Sequence, residues 1–297
     1  MNTHLKCLLT TLILLSFISC QKNTHEKAHE SDSQNPVASV KPKGSLFIIG
    51  GGKRPPELVR EMISLSSMES ANHYAVILPM SSAEPDSAIW YGRKQFTDLG
   101  ITPDKIKGYQ FTKEHMPTQQ LDSLENAALI YITGGDQNRF MEIVEDSQIE
   151  QAIKNAYQKG SVIAGTSAGA AVMSEKMITG DQYKHPEYTG DFQSIESENI
   201  IIENGLGLTD RIIVDQHFIR RMRMNRLLSV AMEHPEQTAL GIDESTAVIV
   251  KNDSIRVTGE SQVIYIKNQG KVSSQNGLLG GDDLKVKVLL PGTKISL

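Results

Sequence analysis

Short apolar runs alternate along most of the chain with longer segments in which apolar residues recur every three or four positions. The short runs favour buried strands, and the longer periodic segments favour amphipathic helices. The pattern predicts strands at 46–49, 74–78, 129–133, 161–164, 212–214 and 240–242. It predicts helices at 56–67, 87–99, 148–159 and 219–233. Strands and helices in alternation predict an α/β domain with a mostly parallel sheet.

The pattern changes after residue 244. The stretch TAVIVKNDSIRVTGESQVIYIKNQG contains short apolar runs joined by Asn-Asp and Gly turns, which is typical of antiparallel strands. We therefore expect the sheet to have an antiparallel C-terminal edge. Residues 44–297 have the length of one large domain.

The first twenty residues, MNTHLKCLLTTLILLSFISC, form a different kind of segment. A Lys near the start precedes an apolar core that has the length of a signal-peptide core and is short for a membrane span. The final FISC resembles a bacterial lipobox. We therefore expect residues 1–20 to be a lipoprotein signal and Cys20 to carry the lipid, so that the protein is exported and anchored to a membrane of the cell envelope. A plain secretory signal with an incidental Cys is the alternative.

Residues 21–43 are polar and have no periodic apolar face, which predicts a disordered tether. The tether contains HEKAH at 25–29, which matches the H-E-x-x-H pattern of zinc peptidases. That pattern binds zinc when a buried helix holds both His side chains on one face. The flanking residues here are polar, so we interpret the motif as part of a solvated linker and predict no metal site.

Composition narrows the range of functions. The chain is 39% hydrophobic and 22% charged, with a formal net charge of −5, which is typical of a globular protein and unfavourable for nucleic-acid binding. No Cys follows residue 20. The domain therefore has no disulfide, thiol nucleophile or Cys-based metal site, and the sequence predicts no cofactor.

The predicted strands share a feature at their carboxyl ends, where nearly every one runs into a Gly-rich or polar cluster. The clusters are IIGGGK, LPMSSAEP, YITGGDQ, IAGTSAG, IVDQHF and GIDES. Ligands of open α/β sheets bind outside the carboxyl ends of the strands. The repeated clusters therefore predict an active site at this edge.

One cluster carries a candidate nucleophile. Residues 165–169, GTSAG, have the G-x-S-x-G form, in which flanking glycines allow a tight turn that exposes the hydroxyl of Ser167. The first amides of the following helix, from Ala168 onward, can then donate to an oxyanion. A tightly packed strand-to-helix junction without chemistry is the alternative.

A serine nucleophile needs a base, and His is the usual one. His217 directly follows a predicted strand and is the best candidate, although His115 and His185 in loops stay open. Glu244 also follows a strand and could orient the imidazole, whereas its neighbour Asp243 is expected to serve a turn or a salt bridge.

Four arginines follow the candidate base in FIRRMRMNR. No Asp or Glu lies three or four positions away on the predicted helix to pair with them. Unpaired guanidinium groups at this place favour a substrate that carries carboxylates. A solvated basic helix face is the alternative interpretation.

Several motifs together resemble one protein family. GTSAGAAVM, TGGDQ, DQHF with its spaced arginines, and GIDES occur in the order found in the cyanophycinase branch of the serine exopeptidases, which includes the α-aspartyl dipeptidases. The resemblance spans residues 45–250. It implies a three-layer, flavodoxin-like α/β/α sandwich, as in the class I glutamine amidotransferases, with Ser in place of their Cys.

The same resemblance implies hydrolysis of the β-aspartyl-arginine polymer cyanophycin to dipeptides. Ser167 would be the nucleophile, His217 the base and Glu244 its partner. Gly135 and Ala168 would supply oxyanion amides. The implied substrate-binding residues are Gln137, Asp215, Gln216, Arg221, Arg223 and Arg226.

Residues 181–205 have no counterpart in the family pattern, and they carry other acids that could replace Glu244, among them Glu187, Asp191 and Glu196. The alternative functions are an α-aspartyl dipeptidase, an esterase, or a surface lipoprotein that binds acidic peptides without turnover. The expected partners are cyanophycin or aspartyl peptides and, through the lipid, a membrane. The sequence leaves open whether the protein acts as a homodimer.

Overall fold

The computed structural model describes residues 41–187 and 192–297. Residues from Lys41 to Leu297 form one compact unit. The signal segment with Cys20, the HEKAH motif and Asp191 lie outside the described residues. The boundaries expected at residues 20 and 43 therefore stay predictions.

The described residues contain strands and helices in the following order. The strands are β1 (Ser45–Ile49), β2 (Ala75–Leu78), β3 (Ile106–Gly108), β4 (Leu129–Ile132), β5 (Val162–Thr166), β6 (Lys176–Gln182), β7 (Ile200–Asn204), β8 (Ile212–Gln216), β9 (Thr238–Ile242), β10 (Thr246–Lys251), β11 (Ser254–Gly259), β12 (Val263–Asn268), β13 (Val272–Gln275), β14 (Leu278–Gly281), β15 (Leu284–Leu289) and β16 (Lys294–Ser296). The helices are α1 (Pro56–Leu65), α2 (Pro85–Thr97), α3 (Thr118–Glu125), α4 (Gln137–Val144), α5 (Gln148–Lys159), α6 (Ala168–Ala171) and α7 (Met224–Glu233), with a 3₁₀ turn at Pro103–Lys105.

The central sheet has the strand order β16-β11-β10-β1-β5-β4-β2-β3. Five neighbouring strands, β1, β5, β4, β2 and β3, pair in parallel. Beside β1, the strands β10, β11 and β16 pair antiparallel. The α/β class is therefore confirmed, and antiparallel C-terminal strands form one edge of the sheet.

The inner parallel strands are buried and mostly apolar because both faces of the sheet are covered. In β1, Leu46 and Ile48 pack in one core cluster with residues of α3, α4 and α5. The alternate residues Phe47 and Ile49 pack in a second cluster with residues of α1 and α2. Successive side chains of a strand point to opposite faces, so a strand buried on both faces forms a continuous apolar run.

The strands predicted at 212–214 and 240–242 do not join the central sheet. They form β8 and β9, which pair in parallel in a separate sheet of order β15-β12-β9-β8. Helix α7 packs against this second sheet through a third core cluster. The hydrophobic pattern identifies a buried strand, but it does not specify which strand lies beside it, so the expectation of a single mostly parallel sheet was too simple.

The helix bounds agree with the pattern in part. Helix α5 has the predicted bounds, whereas α7 begins at Met224 and not at 219. Residues 218–223 form turns instead, in which Met222 has a φ of 50° and the amide of Arg223 donates to the carbonyl of Phe218. These turns allow the arginines of this segment to point in different directions.

Two further observations concern only the described part of the chain. None of its helices is both long and apolar enough to span a bilayer. None of its groups of His, Cys, Asp and Glu side chains is arranged to hold a metal ion.

Candidate active site

Ser167 lies at a strained turn between β5 and α6. Its backbone angles are φ 54° and ψ −114°, a combination that a residue with a Cβ rarely adopts. A Cβ on Gly165 would overlap the carbonyl of Gly169, so the turn needs glycine for the close approach that the motif predicted. The amide of Ser167 donates to the carbonyl of Ile49 at 3.0 Å. The strained backbone presents the hydroxyl at the carboxyl edge of the sheet.

The predicted base and acid lie beside this serine. His217 Nε2 is 2.9 Å from Ser167 Oγ, and His217 Nδ1 is 2.7 Å from Glu244 Oε1. A carboxylate accepts from the ring N–H at Nδ1, which leaves Nε2 as the acceptor for the serine hydroxyl proton. The three side chains therefore form one continuous hydrogen-bonded chain.

Backbone contacts from both sheets hold His217 in place. Its amide donates to the carbonyl of Gly50 at 2.6 Å. The next residue, Gly51, has a φ of 111°, and a Cβ there would overlap the imidazole ring. Asp243 accepts from the amide of Arg220 at 2.9 Å and from the hydroxyl of Ser261 at 2.7 Å. Asp243 therefore fastens the segment that follows His217, which agrees with its predicted role in a turn.

Burial lowers the pKa of His217 below its ordinary value. The hydrogen bond that His217 donates to Glu244 raises this pKa, and the positive charges of Arg221 and Arg223 lower it further. Burial has the largest effect, so the imidazole stays neutral to a lower pH than an exposed histidine. A neutral imidazole is the form that can accept a proton.

The alternative histidines and acids lie elsewhere in the described part of the chain. His115 is exposed. His185 bonds to Glu196 at 2.8 Å and not to Ser167. Glu187 is exposed to solvent, and Asp191 lies outside the described residues. Of the acids that the structure describes, Glu244 is the one that contacts the imidazole of His217.

A polar cavity of about 350 Å³ opens beside Ser167. Most of the predicted substrate-binding residues line it. These residues are Gln137, Gln216, Arg221, Arg223 and Arg226, together with Gly135. Three further lining residues, Thr179, Gly180 and Asp181, come from β6. Asp181 begins the stretch without a family counterpart, and no motif in the sequence pointed to any of the three.

The expectation that these arginines are unpaired is wrong for two of them. Arg226 Nε donates to Asp215 Oδ2 at 2.9 Å, and Arg226 Nη2 donates to Asp215 Oδ1. Arg223 Nη1 donates to the carbonyl of Gln216 at 2.7 Å and lies 3.6 Å from Asp215 Oδ1. The partner acid is on β8, eleven positions before Arg226, so helix spacing could not reveal it.

Asp215 is also not placed to touch a ligand. Its side chain is 0% exposed and both of its oxygens accept from Arg226. Arg226 is held from another side by the ring of Phe192, whose centroid lies 4.7 Å from its guanidinium carbon. Asp215 therefore positions the arginines, whereas the exposed Arg221 can reach a ligand in the cavity.

Gln137 also makes contacts within the protein. Its Nε2 donates to the carbonyls of Ile178 and Thr179, so the first residue of α4 fixes β6 at the cavity wall. Asp136 accepts from the amides of Asn138 and Arg139 and caps the same helix. The N-cap preference of Asp explains why TGGDQ is followed directly by a helix.

This arrangement can carry out attack on a carbonyl carbon, because a serine hydroxyl contacts a neutral imidazole that a carboxylate orients. The fold and the site define a hydrolase of the serine type. Comparison with known proteins specifies the family. The chain belongs to peptidase family S51, whose model matches residues 46–258. The protein is accordingly a serine peptidase.

The chain is similar to two cyanophycinases. That of Geminocystis herdmanii is 33% identical over 249 residues, which cover 81% of this chain and 87% of the relative. That of Trichormus variabilis is 32% identical over 231 residues, which cover 75% and 74%. The crystal structure of a peptidase from an acI-B1 Actinobacterium has the same fold, with a TM-score of 0.63 at 23% identity over 87% of this chain and 98% of that one.

The buried pair of Asp215 and Arg226 leads to a prediction about stability. Asp215→Asn removes the negative charge and leaves a buried guanidinium without its counter-ion, so we expect the free energy of unfolding to fall by about 3 kcal/mol. Urea denaturation measures this change. Asp210→Asn at an exposed site is the matched control and should change the stability by less than about 0.5 kcal/mol. Equal stability of the two variants would contradict the conclusion that Asp215 is the counter-ion of a buried arginine.

Proposed function

We propose that this serine peptidase is of the cyanophycinase type and releases β-aspartyl-arginine dipeptides from cyanophycin. The observation that carries the proposal is the hydrogen-bonded chain of Ser167, His217 and Glu244, which opens onto an arginine-lined cavity. The similarity to proteins named cyanophycinases supports the same substrate. Release of intact dipeptides requires cleavage of the bond that joins one dipeptide to the next.

The residues would act in sequence. Ser167 Oγ attacks the carbonyl carbon while its proton passes to His217 Nε2, and Glu244 stabilises the imidazolium that results. The amides of Gly135 and Ala168 donate to the oxygen that becomes negative. His217 then gives the proton to the leaving amine. Water hydrolyses the acyl-enzyme by the same route, with His217 again acting as the base.

The cavity offers groups of both charges to a substrate that also carries both. Arg221 is exposed at the cavity and can bind a carboxylate through its planar fork. Asp181 of β6 is an exposed carboxylate that lines the same cavity, and it would bind the guanidinium of a substrate arginine. Gln216 also lines the cavity, and its side-chain amide can hydrogen-bond to either group of the substrate. This role replaces the one that the sequence suggested for Asp215.

A related peptidase that cuts short aspartyl peptides, or an esterase, would use the same three side chains. Incubation of the protein with cyanophycin, α-aspartyl dipeptides and a neutral ester, followed by mass spectrometry of the products, separates these activities. Dipeptide release from the polymer supports the proposal. Hydrolysis of α-aspartyl dipeptides without attack on the polymer would contradict it. Binding of acidic peptides without turnover, and without labelling by a serine-directed reagent, would indicate a non-catalytic lipoprotein.

Replacement of the three side chains tests the mechanism. Ser167→Ala and His217→Ala should each lower kcat by at least about a thousandfold, because the members of such a chain act as a unit. Glu244→Gln should lower kcat by about a hundredfold or more, since the imidazole loses its orientation and its counter-charge. Steady-state kinetics on cyanophycin measures the losses. Near-parental rates in Glu244→Gln, with a large loss in Glu187→Gln or Asp191→Asn, would identify a different acid.

The perturbed pKa of His217 gives a prediction for the pH dependence. The base must be neutral, so kcat/KM should rise with pH to a plateau through the pKa of His217, with a midpoint below pH 6.5 because burial lowers that pKa. Arg221→Gln removes a positive charge and should move the midpoint to higher pH. Glu244→Gln removes the interaction that raises the pKa and should move it to lower pH.

Arg220→Gln is the matched control for these pH profiles. It removes the same charge from the neighbouring exposed position, and Arg220 is absent from the groups that perturb His217. Its midpoint should therefore stay close to that of the parent protein. Shifts of equal sign in Arg221→Gln and Glu244→Gln would show that another group limits the rate at low pH.

We also propose that the protein is a lipoprotein anchored through Cys20, on the support of the apolar core and the FISC sequence that precede a polar segment. Cys20→Ala should abolish incorporation of labelled palmitate and release the processed protein from the membrane fraction. Turnover by the purified protein should stay the same, because the cysteine lies outside the catalytic residues. Cys7→Ala is the matched control, and palmitate incorporation that persists in Cys20→Ala would refute the anchor.

A further inference from the structure

A second cavity, of about 200 Å³, lies on the other side of Ser167. Tyr91 and Gly92 of α2 form part of its wall, and Tyr131 of β4 and Thr166 of β5 form another part. It therefore lies on the face of the central sheet that α1 and α2 cover, whereas Gln137 of α4 and the arginines of the 218–226 segment line the first cavity. Ser167 is common to both linings.

Polar atoms without a partner surround this second cavity. Tyr131 and Thr166 are only 2% and 6% exposed. Their hydroxyls are buried and make no hydrogen bond within the described residues. Gln95 does not line the cavity, but its oxygen accepts from the lining residue Arg54, and its amide nitrogen is buried without a partner as well. Buried polar groups are nearly always hydrogen-bonded, so this cluster indicates a polar ligand.

Arg54 gives the cavity its charge. Its Nε donates to Gln95 Oε1 at 2.7 Å and its Nη1 donates to the carbonyl of Gly52 at 3.2 Å. These two neutral acceptors fix the guanidinium at the cavity wall. No carboxylate of the described residues forms an ion pair with it, and the residues that line the cavity include no acid. The positive charge of Arg54 is therefore held in position without a counter-ion.

From these contacts we infer that the second cavity is a subsite for a carboxylate of the substrate, on the opposite side of the scissile bond from the arginine-lined cavity. Arg54 would donate to the carboxylate, and the hydroxyls of Tyr131 and Thr166 would donate to the same group. Tyr91, which is 62% exposed, would cover the apolar part of that residue. The inference rests on the proposed function, because it places the reacting carbonyl at Ser167.

The subsite can be tested by binding, separately from turnover. The probe consists of two β-aspartyl-arginine units joined through their aspartyl residues, together with three analogues in which one carboxylate each is amidated. Calorimetry with full-length protein carrying Ser167→Ala measures the dissociation constants without hydrolysis. Arg54→Gln in this background should weaken binding of the parent probe about tenfold. In one of the three analogues the amide replaces the carboxylate that Arg54 binds. The proteins with and without Arg54→Gln should bind that analogue equally.

Two variants serve as comparisons. Arg60→Gln removes an exposed arginine that pairs with Glu57 on α1, and it should leave all dissociation constants unchanged. Tyr131→Phe should weaken binding of the same forms as Arg54→Gln by a smaller factor. Its thermal stability should not fall, because the lost hydroxyl has no partner in the protein.

Some results would overturn the inference. Arg54→Gln that binds the parent probe as tightly as before, or that weakens all four forms by one factor, would remove the carboxylate subsite. Absence of any binding to the protein carrying Ser167→Ala would remove it too. Failure of the proposed function looks different, because the parent protein would then release no dipeptide from cyanophycin even if the four binding constants follow the expected pattern.

Discussion

The hydrogen bond between Ser167 and His217 joins two sheets that the chain builds separately. The serine follows β5 of the central sheet, and the histidine follows β8 of the second sheet. A contact of 2.9 Å across this junction requires the sheets to be fixed to within a fraction of an ångström. The carbonyls of Gly50 and Gly51 accept from the amides of His217 and Ser245, so the segment that follows β1 binds the backbone of the histidine and of the residue after Glu244.

The charges next to this junction are arranged by a buried ion pair. Asp215 binds Arg226 with both oxygens and lies near Arg223, and neither arginine is more than 4% exposed. A buried pair contributes little net stability compared with apolar residues, but loss of one partner is expensive. The buried pair instead fixes positions, because it keeps the guanidinium groups in one orientation at the cavity wall. Arg223 also acts on His217, whose pKa is lowered by burial and lowered further by the charges of Arg221 and Arg223.

The sequence predicted the chemical residues better than their surroundings. Ser167, His217 and Glu244 each follow an apolar strand, and strand ends meet at one edge of an α/β fold, so their proximity could be inferred. The ion pair between Asp215 of β8 and Arg226 of α7 could not be inferred. The turns that bring these two residues together have a backbone that the apolar pattern does not encode. The position of β6 at the cavity and the unpartnered hydroxyls of Tyr131 and Thr166 depend on tertiary packing alone.

The two cavities flank Ser167 and differ in charge and size. The larger one, of about 350 Å³, contains several arginines and Asp181, and the smaller one, of about 200 Å³, contains a single fixed cation. In the binding mode inferred above, a free dipeptide product would occupy one of them at a time, whereas two joined units would place groups in both, with the bond between them over the serine. Binding energy from both sides is then available only before cleavage, which favours departure of the product once the bond is cut. The geometry therefore suits a peptide that continues past the scissile bond in both directions.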